Sequence, residues 1–531
     1  MKVLQIPYSD VEQFSQTDIA YAQQKEELAK FAKYSPALDQ FARIIEDKSQ
    51  EAIDRQVVYE VLSEQYAQYV TDTSSALPLL EQLKDDNCYT VITAHQPVLF
   101  TGPAYVAYKI ISAVKLVRDL RSRYPEYQFV PLFITGGEDH DFEEMDHTQL
   151  FGKTIQWVNE ESGPVGRMST ESLAPALEAL REILGDSPIA QKVYDIFLKT
   201  HTQHKTYSVA FADLINALFG ELGLIVANMD DPRFKEKMKD IFRDELLNHH
   251  SSEYVRSTQK EIEAAGFSPQ AYVREINLFY LDKGLRNRIE KENGAYTIVD
   301  TDRQFTEEQM LDMLENHPEK FSPNVVIRPL YQERIFPNLA YVGGGGELAY
   351  WLERKSQFEF FGINFPMLVR RDSCLWIDRG SVKKMQKLDL PVTDFFQPAV
   401  QQIKAFVQKN AEHEFSLSAE KNQLEEIWNQ IAQKAETIDP TLKGAAAAEG
   451  KNQIKAMEKI EDRLRRTEKQ KHEVALGQIE NIRSKLYPDG GLQERVVNFL
   501  EFYLRTPKEY FDILFQAFDP LDMRLKVLVD E

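Results

Sequence analysis

The sequence predicts an α/β protein with an open parallel sheet, two insertions in that sheet's connections, and a C-terminal antiparallel helical coiled coil. Three observations carry this. Tyr89-Thr-Val-Ile-Thr-Ala94 and Phe129-Val-Pro-Leu-Phe-Ile-Thr135 are short apolar runs, each followed by a polar loop rich in Gly, His and carboxylates. The same rhythm of apolar run, polar loop and helix returns at Leu224–Asn228 and Leu339–Glu347. From 400 to 487 the texture changes to charged, Gly- and Pro-poor sequence with apolar residues repeating at seven.

At 531 residues the chain exceeds a single core, so several structural units are expected. With 43% hydrophobic and 28% charged residues it reads as an ordinary globular protein. A formal net charge of −21 argues against general affinity for nucleic acid or an anionic membrane. No apolar run reaches the roughly 18 residues that a bilayer span needs. The segment Met1-Lys-Val-Leu-Gln-Ile-Pro-Tyr8 lacks the apolar stretch of a signal peptide. Two cysteines, Cys88 and Cys374, fit a reducing compartment, so a cytoplasmic chain is expected; both read as small buried hydrophobes.

Taken in order, residues 1–85 read as helical. The core opens at 86–154, where Tyr89–Ala94 leads into a helix running to about Arg123. That helix has Thr101 as a cap, Pro103 in its first turn, and Val106, Ile110, Val114, Val117 and Leu120 on one face. Residues 155–200 form a first insertion with a short strand and helices around Leu173–Leu184 and Ala190–Leu198. The core resumes at 201–266. A second insertion, 267–325, mixes strands at Leu278–Leu281 and Ala295–Ile298 with a helix, and the core returns at 326–395. In the hairpin, 396–488, Leu424, Ile431 and Ile438 form one apolar stripe and Ile454, Met457, Ile460 and Leu464 the next. A bend spans Pro440 to Gly450, and such an arm invites homodimerisation. The closing segment, 489–531, reads as helical and docks on the core.

In a parallel sheet the loops leaving the carboxyl ends of the strands converge on one crevice. The first such loop carries His95 and Gln96, followed by Thr101, Gly102 and Pro103, a constellation suited to holding a substrate anion near a helix start. The second is Gly136-Gly-Glu-Asp-His-Asp141. Its clustered carboxylates, Glu138, Asp139 and Asp141, need a cation, whether a metal, a ligand ammonium or a neighbouring Arg. No CxxC, HExxH or GxxxxGK[ST] pattern is present, and no metal ligands are assigned. His140 is a candidate general base, with Asp139 and Asp141 beside it in the catalytic set. The third loop, Gly343-Gly-Gly-Gly346, allows close backbone approach through Gly344, Gly345 and Gly346, and leaves Glu347 available to an amine or hydroxyl donor. Arg328 and Tyr331 supply a carboxylate clamp.

Several segments together resemble one family closely. They are His95-Gln-Pro-x-x-x-Thr-Gly-Pro103, Gly137-Glu-Asp-His-Asp-Phe-Glu-Glu144, Arg328-Pro-Leu-Tyr-Gln-Glu333, Pro337–Trp351 with its glycine run, and the coiled-coil tail. Together they look like the cysteine-adding enzymes of bacillithiol biosynthesis. The resemblance implies a Rossmann-like parallel-sheet core with two connective insertions and a C-terminal antiparallel α-helical coiled coil used for homodimerisation. It also implies a reaction, the joining of L-cysteine to glucosaminyl-malate. An amide from a free carboxylate and an amine is uphill in water, so the carboxyl must be activated, most simply by ATP, and ATP or ADP is the expected nucleotide; metal dependence stays open. Two other readings compete: a Rossmann-type nucleotidyl transferase, and a non-enzymatic coiled-coil protein binding a small acidic metabolite.

Overall fold

A computed structural model describes residues 1–411 and 416–530. Residues 412–415, inside the expected hairpin, and residue 531 lie outside the described residues. The chain divides into two compact units, one of residues 1–377 with 488–531 and one of residues 378–487.

The larger unit is built on five strands, Cys88–His95, Gln128–Thr135, Ile225–Asn228, Asn338–Gly343 and Met367–Arg370, here the first to fifth core strands. In space they run fifth, fourth, first, second, third, and every neighbouring pair is parallel. Nearly every residue in them is buried. Burial on both faces is why these segments read as unbroken apolar runs instead of alternating ones. The chain steps outward from the first strand through the second to the third, then restarts on the other side with the fourth. At that reversal the loops leaving the first and fourth strands open a crevice. The first two strands pair without a slip from Cys88↔Gln128 to His95↔Thr135, so their loops depart side by side.

The helix Tyr105–Arg123 packs on this sheet through Val106, Ile110, Val114, Val117 and Leu120, all buried as the periodicity predicts. Its N-terminal flank differs from expectation: Ala104 is the cap residue, and no side chain caps the helix. The first insertion carries a hairpin, His147–Leu150 with Lys153–Gln156, and helices Ala174–Leu184 and Pro188–Gln203. The second is a five-stranded antiparallel sheet that includes Leu278–Asp282, Leu285–Glu292 and Phe321–Pro323, with the helix Glu307–Asn316.

The two chain ends depart from the helical reading. Lys2–Pro7 is a strand, antiparallel to Arg524–Val529, which in turn pairs in parallel with Cys374–Ile377. Each segment finds its partner at the far end of the sequence, so no local pattern of turn and alternation announces the pairing.

The smaller unit starts at Asp378 and is helical throughout its described part. Ser418–Ile438 and Leu442–Lys471 form the antiparallel hairpin. The bend is shorter than the sequence predicts: the alanine run after Leu442 is helical, as suits the best helix former. Gly450 lies against Trp428, where a β-carbon would come within 2.8 Å of the Trp428 Cβ. Ala432 is buried in this seam and Lys421 bridges to Glu461 at 2.6 Å. Ile427, Ile431, Ile438, Ile460 and Leu464 point away from the seam and stay exposed.

Candidate active site

A cavity of about 570 Å³ occupies the crevice of the larger unit. All five core strands feed it. Gln96, Gly136, Asp230, Gly344 and Arg371 each follow within two residues of a strand's end, and all line the cavity. The second insertion adds Arg286, Asn324 and Val325, and the closing segment adds Arg495.

The glycine loop is shaped from within. Glu347 accepts two bonds of 2.8 Å from the buried Lys109, one of 2.7 Å from the Tyr341 hydroxyl, and one of 2.8 Å from the Gly344 N–H. Burial raises its pKa, but Lys109 and these donors outweigh burial and bring it down to about 2. Lys109 also donates to the Ala94 carbonyl, tying the loop to the end of the first strand. Glu347 is therefore the anchor of the loop and is not free to receive a substrate amine, which corrects the expectation. Gly345 is required sterically: a β-carbon there would lie 2.2 Å from Asp18 Oδ2, and Asp18 is itself paired with Arg370 at 2.8 Å. At Gly346 a β-carbon would meet nothing within 4 Å.

The acidic loop finds its cations in the protein. Buried Lys235 sits between Glu138 and Asp230, 3.2 Å from the latter, and Arg167 grips Asp230 with two bonds of 2.7 and 2.8 Å. Burial raises the Glu138 pKa while Lys235 opposes it. Asp139 accepts 2.7 Å bonds from Gln96 Nε2 and from the His140 N–H, with Arg286 at 3.6 Å. Burial pushes the Asp139 pKa up, yet Arg286 and these donors leave it below the ordinary value, so the group is ionised. Among the described residues no group of three or more His, Cys, Asp or Glu is placed to hold a metal ion.

His95 is a neutral hydrogen-bonding residue. Its Nδ1 lies 2.9 Å from the Gln96 carbonyl, which only accepts, so the proton is on Nδ1 and Nε2 accepts from the Tyr105 hydroxyl at 2.7 Å. Burial and the nearby Lys109 charge lower its pKa to about 4. Arg328 reaches the cavity from the first turn of the helix Arg328–Ile335, among Tyr341, Tyr350 and Glu347. Tyr331 lines the wall, but its hydroxyl is spent on the Met229 carbonyl at 2.7 Å; it supports the site and clamps nothing.

Some expected residues lie elsewhere. His140 and Asp141 are exposed and do not line the cavity. Arg286 Nη1 donates to His140 Nδ1 at 2.8 Å, which occupies the lone pair a base would use, and burial together with Arg286 lowers the His140 pKa. Thr101, Gly102 and Pro103 are also away from the cavity. Asn498 Nδ2 donates to the Phe100 and Gly102 carbonyls at 2.8 Å, so this loop is a docking point for the closing segment. The residues missed are Lys109, Lys235, Arg286, Arg371 and Arg495. A lysine inside an apolar helical stretch could have drawn attention to Lys109, and paired arginines ending an apolar strand to Arg371. Arg286 and Arg495 carry no local signal.

Comparison with known proteins gives consistent matches. A family profile described as bacillithiol biosynthesis BshC, N-terminal Rossmann-like domain, matches residues 1–372, and the corresponding C-terminal coiled-coil domain matches 374–529. A Flavobacterium johnsoniae protein named "Putative cysteine ligase BshC" is 37% identical over 525 residues, covering 98% of this chain and 99% of that one. Proteins of the same name are 36% identical in Christiangramia forsetii (98% of each chain) and 32% identical in Cytophaga hutchinsonii (99% and 98%).

Proposed function

This chain belongs to the BshC family of bacillithiol biosynthesis, and on that premise we propose that it joins L-cysteine to glucosaminyl-malate through an amide bond. The observation that supports this reading most is the polarity of the crevice. One part of the wall carries Arg328, Arg371 and Arg495 with Glu347 and Glu494 among them, and another carries the ionised Asp139 beside Arg286. Among the described residues neither Arg328 nor Arg495 has a carboxylate within ion-pair distance, so both keep charge for an incoming acid. Arg328, whose guanidinium can fork onto a carboxylate, is the partner for the malate end. Asp139, fixed by Gln96, faces the amine that must lose a proton as it attacks. Asp139 Oδ2 keeps a lone pair beside its bond from Gln96, whereas Oδ1 is taken by the N–H groups of His140 and Asp141.

Holding amine and acyl group in one cavity supplies rate through effective concentration. ATP supplies the activated carboxyl that a free acid lacks. The exposed face of the hairpin, with Ile427, Ile431 and Ile438, is the surface we assign to a homodimer. The decisive experiment is a thiol profile of a deletion strain. Loss of bacillithiol with build-up of glucosaminyl-malate, both restored by the gene, is the expected result. Unchanged bacillithiol would overturn the ligase reading.

A further inference from the structure

Arg371 is almost wholly buried at the end of the fifth core strand, and its guanidinium is only partly used. Nη2 donates to Glu494 at 2.7 Å and Nη1 to the Asp372 carbonyl at 2.8 Å. The Nε–H has no partner, although the residue lines the cavity. That nitrogen faces the glycine loop: a β-carbon on Gly344 would lie 3.8 Å from it. Leaving such a donor unmatched costs on the order of 1–3 kcal/mol, so a buried N–H of this kind calls for an acceptor.

The adjoining wall is the start of the eight-residue helix Gly345–Leu352. Its first-turn N–H groups have no intrahelical acceptor, and Glu347 satisfies only the Gly344 N–H. Gly345 and Gly346 both line the cavity, with open space at Gly346. The charges around this corner are Arg371, Arg495, Arg328 and Lys109 against Glu347 and Glu494, an excess of two positive charges. Asp18, behind Gly345, is neutralised by Arg370.

We propose that this corner is an oxyanion subsite separate from Arg328, in which the Arg371 Nε–H and the N–H groups of Gly345 and Gly346 receive a phosphoryl group. The donor geometry selects the shape of the anion. A carboxylate is best met by two free nitrogens on one guanidinium edge, and in Arg371 the Nη2 already donates to Glu494, so Nε is its one nitrogen without a partner. Single donors arriving from a side chain and from a helix start suit the separate oxygens of a tetrahedral group. Arg328 then takes the carboxylate and the glycine corner takes the phosphoryl group. That this group comes from a nucleotide rests on the ligase reading; the subsite itself does not.

The test is calorimetric titration of the full-length protein with inorganic phosphate, ADP and L-malate in turn. Gly346→Ala places a methyl group in the open corner without a steric clash or a left-handed backbone, so its melting temperature should match the parent. Phosphate and ADP should bind the parent and bind Gly346→Ala about tenfold or more weakly, as expected when a helix-start site is blocked. L-Malate should bind both equally and lose affinity in Arg328→Ala. Arg371→Lys, which keeps the charge and removes the Nε–H donor, should repeat the phosphate defect and stands in if Gly346→Ala proves unstable. Phosphate binding without ADP binding would keep the subsite and remove the nucleotide. Absence of phosphate binding at millimolar concentration, equal phosphate binding by parent and variants, or a parallel loss of malate would each overturn the subsite. The thiol profile judges the ligase reading separately.

Discussion

At the scale of single residues, the site is governed by which charges are already paired. Glu347 holds Lys109, whose side chain is fully buried, at 2.8 Å through both oxygens. Glu347→Gln would leave that ammonium uncompensated, and breaking such a pair costs about 3–5 kcal/mol. Calorimetry should therefore show a marked fall in melting temperature, largely recovered when Lys109→Met is added. Asp139 and His140 separate sharply despite being neighbours. Asp139→Asn should lower the rate at least about a hundredfold, the loss typical of a missing general base. His140→Ala should retain most activity, because the ring is on the rim and bonded to Arg286. Thiol chromatography of a complemented deletion strain reads both. Glu333, buried behind the fourth strand, has its pKa raised by burial to about 7. Its charged form is disfavoured in the fold, so the penalty is present above that value and vanishes below the unfolded carboxylate range. Glu333→Gln should raise the melting temperature at pH 8, and the advantage should fade as pH falls toward 4.5.

Among the elements, the loop after the first strand shows how a sequence motif can serve packing. Phe100 and Thr101 both adopt left-handed backbone, φ 50° and 72°, and Gly102 follows at 61°. Such residues cost of order 1–3 kcal/mol each and persist only when surroundings over-determine them. Here Asn498 and Val98 do so: a β-carbon on Gly102 would lie 2.5 Å from Val98 Cγ2. Gly102→Ala should destabilise the protein by at least about 1–3 kcal/mol in chemical denaturation. Wild-type stability would mean that the loop relaxes without Asn498 following. Such a loop reads as a ligand loop in sequence because Thr, Gly and Pro at a strand end serve both purposes.

For the whole molecule, the hairpin leaves an apolar stripe exposed: Ile431 is 40% and Ile438 82% accessible. Apolar residues kept at seven-residue spacing on an otherwise charged helix are best explained by a partner helix. Ile431→Lys combined with Ile438→Lys should convert a dimer to monomers in analytical ultracentrifugation. A dimer of unchanged strength would place the contact elsewhere. The closing segment shows a different long-range dependence. Chain from beyond 488 returns to the larger unit to supply Glu494, Arg495 and Asn498, so the crevice is complete only when the last part of the sequence has folded.

The sequence alone determined the parallel sheet, the loops that meet at its carboxyl ends, and the presence of a helical hairpin. Burial on both faces writes itself as an apolar run, so Tyr89–Ala94 and Phe129–Thr135 were readable, and the 424-431-438 repeat marked a long helix although Ile431 and Ile438 stay exposed in the hairpin. Gln96, Asp139 and the three glycines line the crevice because each follows closely on the end of a core strand, whereas Arg328 reaches it from the first turn of a helix. Only tertiary structure decided which of them remained free. Lys109 meets Glu347 across 238 positions, Arg286 meets His140 across 146, and Arg371 meets Glu494 across 123. The strands Lys2–Pro7 and Arg524–Val529 pair from opposite ends of the chain. Local sequence encodes burial and backbone preference, whereas the partner of a charge is chosen by whatever the fold brings within about 4 Å of it.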